Sequence, residues 1–255
     1  MIHLRQICLV AQHLAPVQAR LQNVFSLEAA YHDDAVAKWG LENVLLPIGS
    51  QFLEVVAPTQ PGTTAGRYLD RRGGDGGYMV ICQADSRATQ QAAVGRAAMR
   101  NVRIAYHQDR GDWNVLQLHP ADLEAAFFEI DWDTNEDPGG RWMPAGGLDW
   151  RGAVRTDTVD AITGVTLQSS DPARVADLWG HIAGSPVVMD GNTPTVALAN
   201  ATLFFVPVTD GRGPGLAGLQ VRATDAGRLA AQAEQQGCRG ADGTITVCGT
   251  RFTTH

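Results

Sequence analysis

The sequence predicts an α+β fold built from four βαβββ-type modules paired into two domains. Three observations point there. An apolar strand that runs into a helix-opening polar residue recurs four times along the chain. The distance from a fixed position near the start of each strand to that polar residue is seven residues in every copy: Gln6 to His13, Tyr78 to Asp85, Gly164 to Asp171 and Gly218 to Asp225. A length of 255 residues suits two domains of two modules each.

In the first module the strand Gln6-Ile7-Cys8-Leu9-Val10 leads to a helix over 15–24, where Val17, Leu21 and Val24 recur at the spacing of one buried face. Extended runs over 28–32, 43–47 and 51–56 follow, with Gly49-Ser50 turning between the last two. The second module opens on Tyr78-Met79-Val80-Ile81-Cys82, continues as a helix over 86–100 with Ser86 as its cap, and adds strands over 102–107, 114–119 and 126–132.

The third module opens on Gly164-Val165-Thr166-Leu167. Its helix starts at Pro172, where a missing N–H costs nothing, and ends at Gly184; strands follow over 186–189, 195–198 and 202–208. The fourth is short: Gly218-Leu219-Gln220-Val221, a helix over 226–236 closed by Gly237, and strands over 243–248 and 251–255. The expected domains are therefore 1–132 and 160–255. Between them, 133–159 has Pro, Gly and no sustained periodicity, but also Trp142 and Trp150, so it should pack on both domains rather than hang free.

Composition points to a soluble, cytoplasmic protein. Hydrophobic residues make up 44% of the chain, yet no apolar run approaches the roughly 20 residues of a membrane span. Cys8, Cys82, Cys238 and Cys248 form no CxxC pair and read as reduced thiols in strands. A formal charge of −7 without a Lys/Arg cluster argues against nucleic acid and anionic membrane, leaving a small molecule as the expected partner and a homodimer as one open assembly. Lys38 is the only lysine, and GxxxxGK[ST], GxSxG and HExxH are absent. The glycines of Gly73-Gly74-Asp75-Gly76-Gly77 precede a strand rather than open a helix, so they read as turn formers and not as a dinucleotide loop.

Two strand carboxylates carry the chemistry. Glu54 in Leu53-Glu54-Val55 and Glu129 in Phe128-Glu129-Ile130 each sit between apolar neighbours, at equivalent places of the first two modules. Oxygen ligands meeting there would suit a divalent ion such as Mg²⁺, Mn²⁺, Fe²⁺ or Zn²⁺. Without an ion, two carboxylates in one cup would raise each other's proton affinity and support acid–base chemistry.

This pattern resembles the vicinal oxygen chelate superfamily, the glyoxalase/bleomycin-resistance/extradiol-dioxygenase fold. Gly76-Gly77-Tyr78-Met79-Val80, Leu118-His119-Pro120-Ala121-Asp122 before Phe128-Glu129, and Leu45-Leu46-Pro47-Ile48-Gly49 before Phe52-Leu53-Glu54 carry the likeness, and the first half is most similar to the glyoxalase-like and methylmalonyl-CoA epimerase branches. The resemblance implies a histidine near the start of each first strand and a Glu or Gln near the end of each last strand as metal ligands. Gln6 and Tyr78 stand at the two histidine positions, while Glu54 and Glu129 keep the carboxylates; the third and fourth modules have Gly164, Gly218 and Phe205 at such places.

The metal ligands implied are thus Gln6, Glu54 and Glu129, and the catalytic group is Glu129, Glu54 and Tyr78, with Glu129 moving a proton next to a carbonyl and Tyr78 donating to a substrate oxygen. Trp113, Phe52 and His119 are candidates for substrate contact, against a plainer reading of the aromatics as core and of His119 as a loop residue ahead of Pro120. The function implied is a lyase or isomerase. A metal-free binding protein of the drug-resistance type is the alternative, and an extradiol dioxygenase a weaker one, since its iron ligands would fall where Gly164 and Phe205 stand.

Overall fold

A computed structural model describes residues 1–254. Fourteen strands and six α-helices follow the predicted repeat. The first module comprises β1 (Ile2–Val10), α1 (Leu14–Phe25), β2 (Leu41–Ile48) and β3 (Gln51–Pro58), and α2 (Thr64–Arg72) joins it to the second. The second has β4 (Gly76–Ala84), α3 (Arg87–Met99), β5 (Ile104–Asp109), β6 (Trp113–Leu118), the single turn α4 (Pro120–Leu123) and β7 (Phe127–Asp133). The third has β8 (Val159–Ser169), α5 (Pro172–Ala183), β9 (Val187–Asp190), β10 (Thr193–Ala197) and β11 (Thr202–Pro207). The fourth has β12 (Gly215–Ala223), α6 (Ala226–Gln235), β13 (Ile245–Val247) and β14 (Thr250–Thr254).

The repeated polar position does the work of helix initiation in three modules. Asp171 and Asp225 are N-caps whose carboxylates accept from the N–H groups of Arg174 and Arg228, and His13 caps α1 by backbone alone. In the second module the cap is one residue later, Ser86, accepting from the Thr89 N–H.

Two departures from the sequence reading have local causes. The run 28–32 is not a strand; it meets the free edge of β2 only at an isolated bridge of Tyr31 with Leu45, because at Asn43 the carbonyl is taken by His32 Nδ1 and the side-chain oxygen by the Asp33 N–H in place of a continuing ladder. Helix α2 is the second departure, a nine-residue helix assigned to no element, whose buried stripe Ala65, Tyr68, Leu69 and Arg72 is short and ends on an arginine. Its ends were nonetheless written in the chain: Thr63 caps it by accepting from the Gly66 N–H, and Gly73 closes it at φ +68°.

Each sheet has seven strands and holds two modules, in the orders β2-β3-β1-β4-β7-β6-β5 and β13-β14-β12-β8-β11-β10-β9. Packing divides the chain differently from hydrogen bonding. One compact unit comprises Met1–Gln6, Tyr78–Gly140 and Gly164–Leu216, so it unites most of the second and third modules; the other comprises Ile7–Gly77, Arg141–Thr163 and Ala217–His255 and unites the first with the fourth.

In the first unit, α3 lies against α5. Trp179 of α5 stacks on Phe128 of β7 at 4.5 Å between ring centroids, meets Phe205 of β11 edge-on at 6.2 Å, and donates its indole N–H to the Leu123 carbonyl. In the second unit, α1 lies against α6, Phe25 packs on Phe252 at 4.7 Å, and Gln51 exchanges two hydrogen bonds of 2.8 Å with the backbone of Ile162. Among the described residues no helix is long and apolar enough to cross a membrane.

Candidate active site

Strand β7 reads Phe127-Phe128-Glu129-Ile130-Asp131-Trp132-Asp133, so its period of two sends Phe128 and Ile130 to one face and Glu129, Asp131 and Asp133 to the other. Phe128 faces the helix layer through Trp179, which turns the acidic row away from it. The parallel neighbour β4 sets Ile81 beside Glu129 and Gln83 beside Asp131; the antiparallel neighbour β6 sets Gln117 opposite Glu129.

Asp131 is fully buried, at 0% exposure, and Glu129 is at 4%. The Leu116 N–H donates to Asp131 Oδ1 at 3.3 Å, while the buried Oδ2 receives no N–H or O–H donor. Burial first, and then the charge of Glu129 beside it, hold the Asp131 carboxyl well above the usual carboxylate range, against the pull of the Leu116 N–H. The buried Cys82 thiol on the adjacent strand is pushed up too, chiefly by burial and then by Asp131 and Glu129. At the end of the row Gln83 donates to Asp133 Oδ2 at 3.3 Å.

Gln6, Tyr78, Glu129, Trp113 and His119 belong to the first unit; Glu54 and Phe52 belong to the second. Tyr78 packs its ring edge-to-face on Phe127 at 5.0 Å, and the strand register brings Ile81 rather than Tyr78 beside Glu129. Trp113 is half-buried under the Arg110 guanidinium, 5.0 Å from its ring centroid. His119 is the N-cap of α4, its Nδ1 accepting from the Ala121 N–H. Glu54 is buried on β3 and accepts from Asn43 Nδ2 at 2.7 Å, and Phe52, two residues earlier on the same face, meets Trp150 edge-on at 5.1 Å. Trp150 is 3% exposed and its indole N–H is buried without an acceptor, a condition worth about 1–3 kcal/mol of destabilisation.

Asp131 is the residue of consequence that sequence reasoning passed over, and Trp150 was read only as a packing residue of the connector. The alternation of Glu129, Asp131 and Asp133 within β7 was the readable signal for the first, and a tryptophan in a Gly/Pro-rich connector for the second.

The donor set for a divalent ion can be tested on the same geometry. Among the described residues no three His, Cys, Asp or Glu side chains are grouped so that they could hold one, and Gln6 and Tyr78 replace the imidazoles that the resemblance implies. Zinc, iron and nickel sites rely on such nitrogen donors. The residues present do not fit a resident ion, and no step below is routed through one.

The glyoxalase-like domain family matches residues 7–184, more than half of the chain. The chain belongs to this family. Its superfamily is the vicinal oxygen chelate group, as the resemblance implied. Among solved structures, the chain is similar to the Mn(II)-bound glyoxalase from Novosphingobium aromaticivorans, with a TM-score of 0.68 and 12% identity over 99% of this chain and 81% of that one. It is also similar to a triple mutant of 4-hydroxymandelate synthase from Streptomyces coelicolor, at TM-score 0.67 and 14% identity over 93% and 75%. A hypothetical protein from Staphylococcus aureus matches over 100% of both chains, at TM-score 0.65 and 12% identity. At these identities the likeness to solved structures establishes the α+β fold with two glyoxalase-like domains. No curated protein matches the chain.

Proposed function

We propose that this glyoxalase-like protein is a small-molecule isomerase or lyase that moves a proton at a carbon next to a carbonyl, with Glu129 as the base and Asp131 as its neutral partner. The observation that carries the reading is the buried Glu129–Asp131 pair on one face of β7, where burial and the neighbouring carboxylate raise the Asp131 carboxyl well above the usual range. Carboxyl pairs whose environments separate their protonation states are the usual way to run acid–base chemistry near neutral pH.

In this scheme Asp131 holds its proton in a hydrogen bond toward Glu129, which leaves Glu129 as the charged member. The carbon–hydrogen bond next to the carbonyl breaks, its proton passes to a Glu129 oxygen, and the electron pair moves into the carbonyl as an enolate. In an α-hydroxy carbonyl compound, delivery of that proton to the former carbonyl carbon, as the hydroxyl proton moves to the other oxygen, completes an isomerisation; loss of a group from the neighbouring carbon completes an elimination. Ile81 lies beside Glu129 in the strand register, and the burial of Glu129 and Asp131 keeps water away and strengthens the electrostatics at the pair.

The test is exchange of α-hydrogens for deuterium in D₂O, followed by proton NMR across a panel of enolisable α-hydroxy carbonyl compounds. Glu129→Gln should slow exchange by about 10²- to 10⁴-fold, the usual contribution of a positioned acid or base. Unchanged exchange in that variant, or recovery of every compound unaltered with wild type, would move the protein to the binding class.

A further inference from the structure

The two sheets end in four edge strands, β2, β5, β9 and β13. Three are guarded. The free side of β2 is held by the Tyr31 bridge and the two contacts at Asn43, β5 is bulged between Ile104 and Tyr106 and ends on Asp109, and Arg239 bridges to the free side of β13 at Ile245. Among the described residues no segment bridges to β9, whose Val187, Val188 and Met189 are 38%, 59% and 57% exposed. A bare apolar edge is a template for another strand.

The register of β9 with β10 fixes which main-chain groups are on offer. Met189 stands opposite Pro194, which has no N–H, so that pair is the kind that exchanges no hydrogen bonds. Alternation then turns the N–H and C=O of Val187 and Met189 away from β10 and those of Val188 toward it, where the Val188 carbonyl also accepts from the Thr195 hydroxyl at 2.8 Å. The Val187 side chain lies on the helix side of the sheet beside Gly180 of α5, and Met189 shares that side. There a cavity of about 300 Å³ opens at the head of the strand, lined by Arg96, Asp177, Gly180, His181, Pro186 and Val187.

We propose that β9 is the contact surface for a second copy of this chain, paired antiparallel across a two-fold axis at Val188. In this register Val187 of each copy faces Met189 of the other, and both pairs exchange N–H···O=C bonds through the groups that point away from β10. The flexible Met189 side chain of each copy comes alongside the other's Val187, at the mouth of the cavity, and fills it. Charge selects the register. Asp190 falls opposite Pro186, outside the apolar seam, whereas a two-residue slip sets it against Val188 of the other copy and a further slip sets it against its own counterpart. The opposite slip moves Met189 beyond the strand, to Ser185. The seam and its two filled cavities bury on the order of 1,000 Å² in total, the lower end of specific interfaces, so the dimer is reversible and depends on concentration. It stands whether or not Glu129 moves a proton.

Sedimentation velocity of the wild-type protein from about 1 µM to about 1 mM should show a monomer–dimer equilibrium. Val188→Lys sets like charges across the axis and should stay monomeric over that range, with an unchanged melting temperature because the side chain it replaces is more than half exposed. Val188→Cys faces itself in a non-hydrogen-bonded pair, whose Cα separation of about 4.5 Å suits a disulfide. Mild oxidation should therefore give a covalent dimer that neither wild type nor Val187→Cys gives, and this cross-link decides the matter should Val188→Lys fail to fold. Amide exchange at Val187 and Met189 should slow as concentration rises, while that at Val188 should not. A monomer at every concentration, a dimer that survives Val188→Lys, or oxidation that links Val187→Cys as readily as Val188→Cys would each overturn the β9 pairing.

Discussion

Asp131 stands two residues from Glu129 on one face of β7, and complete burial, together with the charge of Glu129, raises the Asp131 carboxyl well above the ordinary carboxylate range. The arrangement needs nothing beyond strand alternation and an apolar surround. It makes stability depend on pH with a definite sign. The folded state binds a proton more tightly than the unfolded chain, whose aspartate titrates near 3.8, so Asp131 favours folding below that pH and the benefit is lost as pH rises from there through the folded value. Denaturant melts of wild type and Asp131→Asn should therefore diverge in favour of the variant as pH rises from about 4, and a pH-independent gap would refute the shift.

Activity should separate the two members of the pair. Asp131→Asn retains shape, neutrality and a hydrogen-bond donor, and should keep α-hydrogen exchange within several-fold of wild type. Asp131→Leu leaves Glu129 without that neighbour and should lose at least tenfold. Equal rates in all three proteins would detach Asp131 from the chemistry.

Chelation should leave exchange intact. No grouped set of three His, Cys, Asp or Glu side chains is present among the described residues, so prolonged dialysis against EDTA should not lower the rate, and restoration by added Mn²⁺ or Fe²⁺ after a loss would show a donor set that this geometry lacks.

The core of the first unit rests on the Phe128–Trp179 stack. Trp179 is fully buried, and its truncation to alanine should cost about 3–5 kcal/mol in equilibrium unfolding. A loss below about 1 kcal/mol would mean that the unit collapses around the gap.

Asn43 holds two groups at once, donating to Glu54 and accepting from the Asp33 N–H. Asn43→Asp removes the donor and sets a second carboxylate against Glu54, so it should destabilise by about 1–3 kcal/mol at neutral pH and by less near pH 4, where the new acid can be protonated. Thermal melts at the two pH values measure the difference.

Much of this fold was legible before any coordinates. The seven-residue spacing located every first strand and three helix caps, because a strand that delivers its chain to a capped helix must place a polar residue at a set distance. Helix α2 was passed over although its buried Ala65, Tyr68, Leu69 and Arg72 stand at i, i+3, i+4 and i+7: the stripe spans only nine residues and ends on an arginine. The packing of the second module on the third depends on α3 meeting α5 and on Trp179 reaching Phe128, contacts between segments roughly 50 to 85 residues apart that no local pattern encodes. At the site, Glu129 was readable as a carboxylate among apolar residues, but its partner was sought at Glu54, an equivalent position in the repeat, while the nearer alternation to Asp131 was overlooked.

The retained proton is the central claim, and infrared difference spectroscopy reads it directly. At neutral pH wild type should show the carbonyl stretch of a protonated carboxyl that disappears in Asp131→Asn and shifts in Glu129→Gln. A spectrum with only ionised carboxylates at that pH would contradict the shared-proton pair and the acid–base chemistry built on it.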